Sequence, residues 1–209
     1  MKVFRNIKLH GSSVQIEALR KNLEASAPTA AWQPIETPRN TPDAIVFEYA
    51  GVEAPGALVF LFDEPYGARV TNIVPKSAGS LSYDEYNTIA ASFVRDVLNP
   101  LATPLAVRVD LGPSEQSIEE LLPAAAAAAL KRFSRSANRA TGTAHPQDAE
   151  KWDQFVILAH REHASMGPST LRRWLVEDER WADDQADDLS LKYESALRLL
   201  TSNDSFKAA

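Results

Sequence analysis

The side chains best suited to chemistry lie between residues 132 and 163, where a basic stripe, a Gly/Thr loop and three of the four histidines follow one another. The three arginines of the stripe are spaced to project from one helical face toward the loop 140–144. If this loop leads into a helix, its backbone N–H groups and the guanidinium groups would converge on an anion such as phosphate. The predicted binding residues are Arg132, Arg135, Arg139, Thr141, Thr143 and His145, with Tyr83 and Asn87 nearby if the two halves of the chain pack together.

The same stripe also fits a solvated helix end, because the helix dipole favours arginine in the last turn. Neither the GxxxxGKS/T pattern nor GxGxxG occurs, so Gly142 alone does not make a phosphate-binding loop. The net charge of -6 argues against broad coating of nucleic acid, since affinity for a phosphate backbone depends on clustered Lys and Arg. A local basic patch could still bind phosphate groups, so nucleic-acid or nucleotide binding through the stripe remains one alternative function.

Two histidines raise the question of a metal site, because His160 and His163 stand at i and i+3. A continuous helix would place His145 about 22 Å from His160, which is too far for a third ligand of the same ion. We therefore expect no metal and no cofactor. His163 is predicted to close the core face, His160 to lie on the surface, and His145 to cap the helix that starts at the following proline.

Signatures of nucleophilic or metal-assisted catalysis are missing: GxSxG, SxxK and HExxH do not occur, and the chain has no cysteine. A Ser/His/Asp set assembled only in space, or an enzyme that uses Tyr83, Asn87, His145 and Asp153, remains a further alternative.

Charge in the second half is segregated by sign. Lys131 adds to the basic stripe, and an acidic block follows it. A separation of this kind favours oriented docking or self-association. The acidic block also fits favourable charge at the start of the final helix. Its members are Glu177, Asp178, Glu179, Asp183, Asp184, Asp187, Asp188 and Glu194.

The elements that must position these residues form two halves. Alternating apolar residues predict strands at 3–9, 44–49, 57–62, 68–74 and 105–111, and helical spacing predicts helices after Ser12 and after Ser82, the second ending at Asn99-Pro100. Residues 27–42, with four prolines, predict an irregular connector that Trp32 and Ile35 fasten to the body. The order fits an α+β fold, a two-layer antiparallel sheet with two helices.

A boundary at Gly112-Pro113 divides an α+β domain at 1–112 from a helical domain at 113–209. Beyond it every pattern is helical, with a cap predicted at Ser117 and helices after Pro123 and at 146–163, 168–178 and 183–200. The apolar repeat predicts a C-terminal helical bundle whose buried residues include Trp152, Phe155, Trp174, Leu189, Tyr193 and Leu197.

Three short motifs follow one another along the chain: residues 72–76 (NIVPK), 81–87 (LSYDEYN) and 142–146 (GTAHP). Asp148 and Trp152 follow the third motif. With them, residues 70–201 resemble a widespread bacterial protein family that has no established activity. The resemblance implies a bacterial cytosolic protein and carries over no activity, cofactor or catalytic residue. The absence of cysteine, of an apolar leader and of an apolar run of about 20 residues is consistent with a cytoplasmic protein without membrane contact.

The function predicted from the sequence is that of a non-catalytic interaction or regulatory protein with a protein partner. A phage-defence or toxin–antitoxin setting is a hypothesis that the resemblance suggests, and homo-oligomerisation stays open.

Overall fold

The computed structural model describes residues 1–36, 43–64 and 67–208. The chain forms two compact units. The first, here the sheet unit, is Lys2–Ser114, and the second, here the helical unit, is Glu115–Ala209 together with Met1. A six-stranded sheet with helices is followed by a helical region, which confirms the predicted α+β class.

The sheet has the order β2-β3-β4-β5-β1-β6, and every strand pair within the described residues is antiparallel. The three consecutive strands β3, β4 and β5 form the predicted meander. Strand β1 pairs with both β5 and β6, so the N-terminal strand lies inside the sheet. The bounds are β1 Ile7–His10, β2 Trp32–Ile35, β3 Ile45–Tyr49, β4 Ala57–Glu64, β5 Gly67–Pro75 and β6 Arg108–Leu111.

Helices α1 (Ser13–Glu24) and α2 (Tyr83–Phe93) supply apolar side chains to a core shared with one face of the sheet. The alternation along β4 buries every second side chain, as a strand with one covered face requires. Both helices start with a capping box, built by Ser12 with Gln15 and by Ser82 with Glu85. The predicted starts of both helices are therefore confirmed.

The prediction of an irregular connector at 27–42 was wrong for residues 32–35, which form strand β2. The Trp32 side chain is buried and packs on the rings of Tyr49 and Phe93, at centroid distances of 4.9 Å each. Its burial outweighs the low strand propensity of proline, and Pro34 is tolerated because β2 is an edge strand. Residues 37–42 lie outside the described part of the chain.

The predicted helix stop at Asn99-Pro100 was also wrong. After α2 the backbone continues through a π turn (Val94–Leu98) into α3 (Asn99–Ala102) and a 3-10 turn (Thr103–Leu105). Pro100 has no N–H and would crowd the preceding helical turn, and the wider π turn accommodates it. Residue 106 then adopts a left-handed conformation, so β6 starts at Arg108, not at residue 105.

The helical unit contains α4 (Ile118–Leu121), α5 (Ala124–Ser136), α6 (Pro146–Arg161), α7 (Pro168–Glu177) and α8 (Asp183–Ala208). Of the six residues predicted for its core, five are buried and Leu197 is partly buried. Ser117 precedes α4 without a side-chain capping bond, contrary to the predicted cap. Helix α8 continues to residue 208, well past the predicted end at residue 200. No helix in the described ranges is long and apolar enough to cross a membrane.

Candidate functional site

The loop 137–145 joins α5 to α6 and borders a polar pocket of about 630 Å³. Predicted binding residues Thr141 and His145 line this pocket, but the basic stripe does not. Sequence reasoning missed the other polar side chains that line it, which come from the last residue of α5, from the loop and from the first two turns of α6. They include Ser136, Asn138, Gln147, Asp148 and Lys151.

Asp148 is the buried carboxylate of this pocket, with only 7% of its surface exposed. One oxygen accepts the backbone N–H of Asn138 at 3.2 Å, and the other accepts the Lys151 ammonium at 3.1 Å. The pKa of Asp148 is lowered most by the hydrogen bond from the Asn138 N–H, and the hydrogen bond from Lys151 lowers it further. The carboxylate lies in the first turn of α6, where the helix dipole favours negative charge. The carboxylate of Asp148 therefore already supplies negative charge at the start of α6, where an anion would otherwise bind.

Four amide groups of the loop, those of Ala140, Thr141, Gly142 and Ala144, are bonded within the loop itself. The N–H of Gly142 donates to the Asn138 carbonyl at 2.8 Å, and the N–H of Ala140 donates to the Asn138 side chain at 3.0 Å. The N–H of Ala144 donates to the Thr141 carbonyl at 3.0 Å. These four amide groups are therefore not free to bind an anion.

His145 caps α6, as predicted: its Nδ1 accepts the backbone N–H of Gln147 at 3.3 Å. Because Nδ1 is the acceptor, the neutral ring carries its hydrogen on Nε2. His145 can therefore donate one hydrogen bond within the polar pocket that it lines.

The three arginines of the basic stripe do not share a helical face, because α5 ends at Ser136 and Arg139 lies in the loop. Arg132 donates to the Gln154 side chain at 3.3 Å, and Arg139 donates to the Arg180 carbonyl at 3.5 Å. Arg135 is exposed in the last turn of α5 and has no polar partner among the described residues. The stripe is therefore two helical arginines followed by one loop arginine.

Tyr83 and Asn87 belong to the sheet unit, on α2. The Asn87 side chain accepts the Arg5 N–H and donates to the Val3 carbonyl, both at 2.9 Å. The Tyr83 ring packs on Phe4, at a centroid distance of 4.4 Å. Both side chains thus attach the N-terminal segment of the sheet unit to α2, and their predicted place beside the arginines stays a prediction.

The prediction for His163 was wrong. Helix α6 ends at Arg161, and His163 is exposed with a φ of 53°, so it closes no core face. His160 contacts the Asp204 carboxylate of α8 at 2.7 Å. The described residues contain no group of three or more His, Cys, Asp or Glu that could hold a metal ion.

The acidic block is largely paired within the helical unit. Arg172 of α7 bonds Asp183 and Asp187 of α8, and Lys192 pairs with Asp188 at 2.7 Å. The predicted separation of charge along the sequence is thus offset by close pairs between and within helices, and these pairs leave the acidic block with little free charge for docking.

An apolar groove of about 470 Å³ lies between α6 and α8. Trp152 and Ala196 contribute buried and half-buried surface, and Leu191 and Leu199 line the groove although they are 62% and 70% exposed. Thr143, another predicted binding residue, lies at this groove and accepts the Lys192 ammonium at 2.8 Å. The groove is open to solvent and carries large apolar side chains, which is characteristic of a binding surface.

Sequence reasoning missed Leu191 and Leu199 because they do not belong to the core repeat of α8. A spacing of eight residues, with Ser195 midway, places them on a second face of the helix. Phe206, at 83% exposed, continues this face, since it lies two turns beyond Leu199. A second apolar stripe opposite the buried one is the sequence signal that could have identified the groove.

Comparison of the chain with protein-family models, with curated proteins and with solved structures found no match. The resemblance to a bacterial family therefore remains a prediction. What supports a function for this chain is the geometry of the polar pocket, the arginines and the α6–α8 groove.

Proposed function

We propose that the helical unit binds a partner protein, and that the α6–α8 groove takes one amphipathic helix of that partner. The supporting observation is the exposure of Leu191 and Leu199 along a groove lined by the Trp152 ring. Helix-in-groove recognition uses this combination of an apolar trough and side chains at i, i+4 and i+7 of the incoming helix.

Burying the two leucines would supply much of the binding free energy. Removing a leucine side chain from water contributes about 1.5–3 kcal/mol. Neither leucine is needed for the core of the unit, because the buried face of α8 carries Ala186, Leu189 and Tyr193. The exposed leucines are thus available for a partner.

Charge at the groove restricts the partner. Asp153 lines the groove and has no polar partner among the described residues, whereas Lys192 is engaged with Asp188 and Thr143. The free charge at the groove is therefore negative. The expected partner helix carries an apolar stripe of Leu, Ile or Met, with Lys or Arg beside it to face Asp153.

A photo-crosslinking residue at Ser195, on the α8 wall of the groove, tests the proposal in cells. The expected result is a crosslinked partner protein at Ser195 and none when the same residue replaces Val14, which is 76% exposed in the sheet unit. A matched pair of double variants follows: Leu191→Asp with Leu199→Asp, and Val14→Asp with Val52→Asp.

Only the leucine pair should abolish the crosslinked partner, because a carboxylate in the groove is costly to desolvate. A partner that survives the leucine pair would contradict the proposal. The identity of the partner would decide the regulatory setting, including the phage-defence or toxin–antitoxin hypothesis, and recovery of the chain itself would identify a homo-oligomer.

A second candidate function, binding of nucleic acid or a nucleotide, is favoured by the free guanidinium of Arg135. Changing Arg135 and Arg139 to Ala should alter the free energy of unfolding by less than about 1 kcal/mol. Affinity for a labelled single-stranded oligonucleotide should fall about tenfold or more, most strongly at low salt. Arg161→Ala with Arg198→Ala is the control, since both arginines are exposed in the same unit. Equal affinity in both double variants would show that Arg135 and Arg139 are solvated surface residues without a role in binding.

A further inference from the structure

The sheet unit contains a partly enclosed cavity of about 220 Å³. Its lining includes no residue of the polar pocket, of the basic stripe or of the α6–α8 groove. The segment after α1 and the rings of Trp32 and Phe47 form one side of the lining. The other side is formed by Asp96 and Val97 of the π turn and by Pro100 and Leu101 of α3. The lining is mostly apolar, with one carboxylate.

The π turn contributes to this cavity. Pro100 has no N–H for the α-helical bond to the carbonyl of Asp96, and the widened turn that precedes it brings Asp96 and Val97 into the lining. Single π turns inside helices occur frequently at functional sites. The local departure from an α-helix therefore coincides with the only carboxylate that lines the described cavity.

A chain of hydrogen bonds fixes Asp96 at the cavity. The Trp32 indole N–H donates to the Ser92 hydroxyl at 3.1 Å, and this hydroxyl donates to the Asp96 carboxylate at 2.9 Å. Arg95 contacts both carboxylate oxygens at 2.7 Å, but the Arg95 side chain is 64% exposed and that of Asp96 is 32% exposed. An ion pair this close to solvent contributes little, so a ligand cation can compete with Arg95 for the carboxylate.

We propose that this cavity binds a small organic cation, a primary amine carried on a single aromatic or alicyclic ring. The ring fills the apolar part between Trp32, Phe47 and Leu101, and the ammonium group pairs with Asp96. This site lies in the sheet unit and does not depend on the proposed protein-binding function of the helical unit.

The size of the cavity sets the limit to one ring. A cavity of about 150 Å³ holds benzene in an engineered protein core. The additional volume here accommodates a short side chain with an amino group, whereas a fused polycyclic ligand would not fit. The aromatic rings in the lining also suit a cation, since an ammonium group near an aromatic face is attracted by the ring quadrupole.

The test uses the full chain with two probes of equal size, phenethylamine and 2-phenylethanol. Binding is followed by the indole N–H resonance of Trp32 in ¹H–¹⁵N spectra, assigned by its loss in Trp32→Phe. Phenethylamine should shift this resonance in a saturable way in the millimolar range, and 2-phenylethanol should bind at least about tenfold more weakly, because it lacks the charge.

Three variants define the outcome. Asp96→Asn should weaken phenethylamine binding to the level of 2-phenylethanol, whereas Asp84→Asn, which changes an exposed carboxylate of the same unit, should not. Ala27→Leu, at an exposed position in the lining, should exclude both probes by filling the cavity. Equal affinity for both probes in the wild type, or a Trp32 resonance that neither probe shifts, would overturn the proposal. If Asp96→Asn fails to fold, the comparison of the two probes and Ala27→Leu still decide it.

Discussion

Each unit buries a tryptophan whose indole N–H is connected through a serine hydroxyl to a carboxylate. In the sheet unit the order is Trp32, Ser92 and Asp96, and the serine and the carboxylate are one turn apart on the same helical segment. In the helical unit Trp181 donates to Ser134 at 2.8 Å, and Ser134 donates to Glu179, 45 residues away, at 2.8 Å.

The difference lies in what the serine connects. Ser92 organises one helical segment beside a cavity, whereas Ser134 joins α5 to the segment between α7 and α8. The Trp181 ring also stacks on Phe133, at an interplanar angle of 17°. The same chemistry therefore serves a local arrangement in one unit and a tertiary connection in the other.

The largest difference is expected when the serines are removed. Ser134→Ala leaves the Trp181 N–H without its acceptor and breaks the connection to Glu179, which should lower the free energy of unfolding by about 1–3 kcal/mol. Ser92→Ala should cost about 1 kcal/mol, because the adjoining cavity has room for a water molecule that can accept the Trp32 N–H.

Urea unfolding of the two variants, with hydrogen exchange to identify the unit affected, measures this difference. Ser202→Ala is a control on the exposed part of α8. Equal losses for Ser92→Ala and Ser134→Ala would show that the tertiary connection adds nothing to the shared hydrogen-bond chain.

The second expected effect concerns acid. The pKa of Asp96 is lowered, first by its hydrogen bonds with Arg95, and the pKa of Asp148 is lowered, first by the Asn138 backbone N–H. A lowered pKa in the folded state stabilises the protein above the unfolded-state pKa of about 3.9, and this contribution is lost as the pH falls through the lower folded-state value.

Asp148→Asn and Asp96→Asn should therefore each flatten the fall in melting temperature between about pH 5 and pH 2. Arg95→Gln should raise the pKa of Asp96 by removing its first cause. Lys151→Gln should raise the pKa of Asp148 less, because the backbone donor remains. Carboxyl chemical shifts measured against pH report both values, and an Asp148 pKa that follows Lys151 alone would contradict the assignment to the backbone N–H.

Much of the fold was predictable, because the spacing of apolar residues in the sequence matches the periodicity of the buried helix and strand faces. Helices α1, α2, α6 and α7, and the β3-β4-β5 meander, follow from apolar spacing and capping residues. Strand β2 was not predictable in this way: its four residues include Pro34, and only packing of the Trp32 ring on Tyr49 and Phe93 explains it. The π turn depends in the same way on tertiary burial, since local rules end a helix before Pro100.

The candidate site was less predictable than the fold. The cap at His145 follows from local chemistry and was predicted. Asp148 and the Asn138 N–H meet only because the 137–145 loop returns on the first turn of α6, and pairs such as Arg172 with Asp187 require two helices to lie side by side. Contacts of this kind depend on tertiary geometry that spacing along one helix does not contain.

The smallest expected effect on stability separates apolar residues that serve the fold from those available to a partner. Leu191→Ser with Leu199→Ser should change the free energy of unfolding by less than about 0.5 kcal/mol, because both side chains are mostly in water already. Val14→Ser, an exposed apolar position on α1 of the sheet unit, is the matched control and should be equally neutral. The two changes should differ in binding, since only the leucines line the α6–α8 groove. Urea unfolding together with crosslinking at Ser195 measures both properties, and a leucine pair that lowers stability by several kcal/mol would show that these side chains belong to the fold.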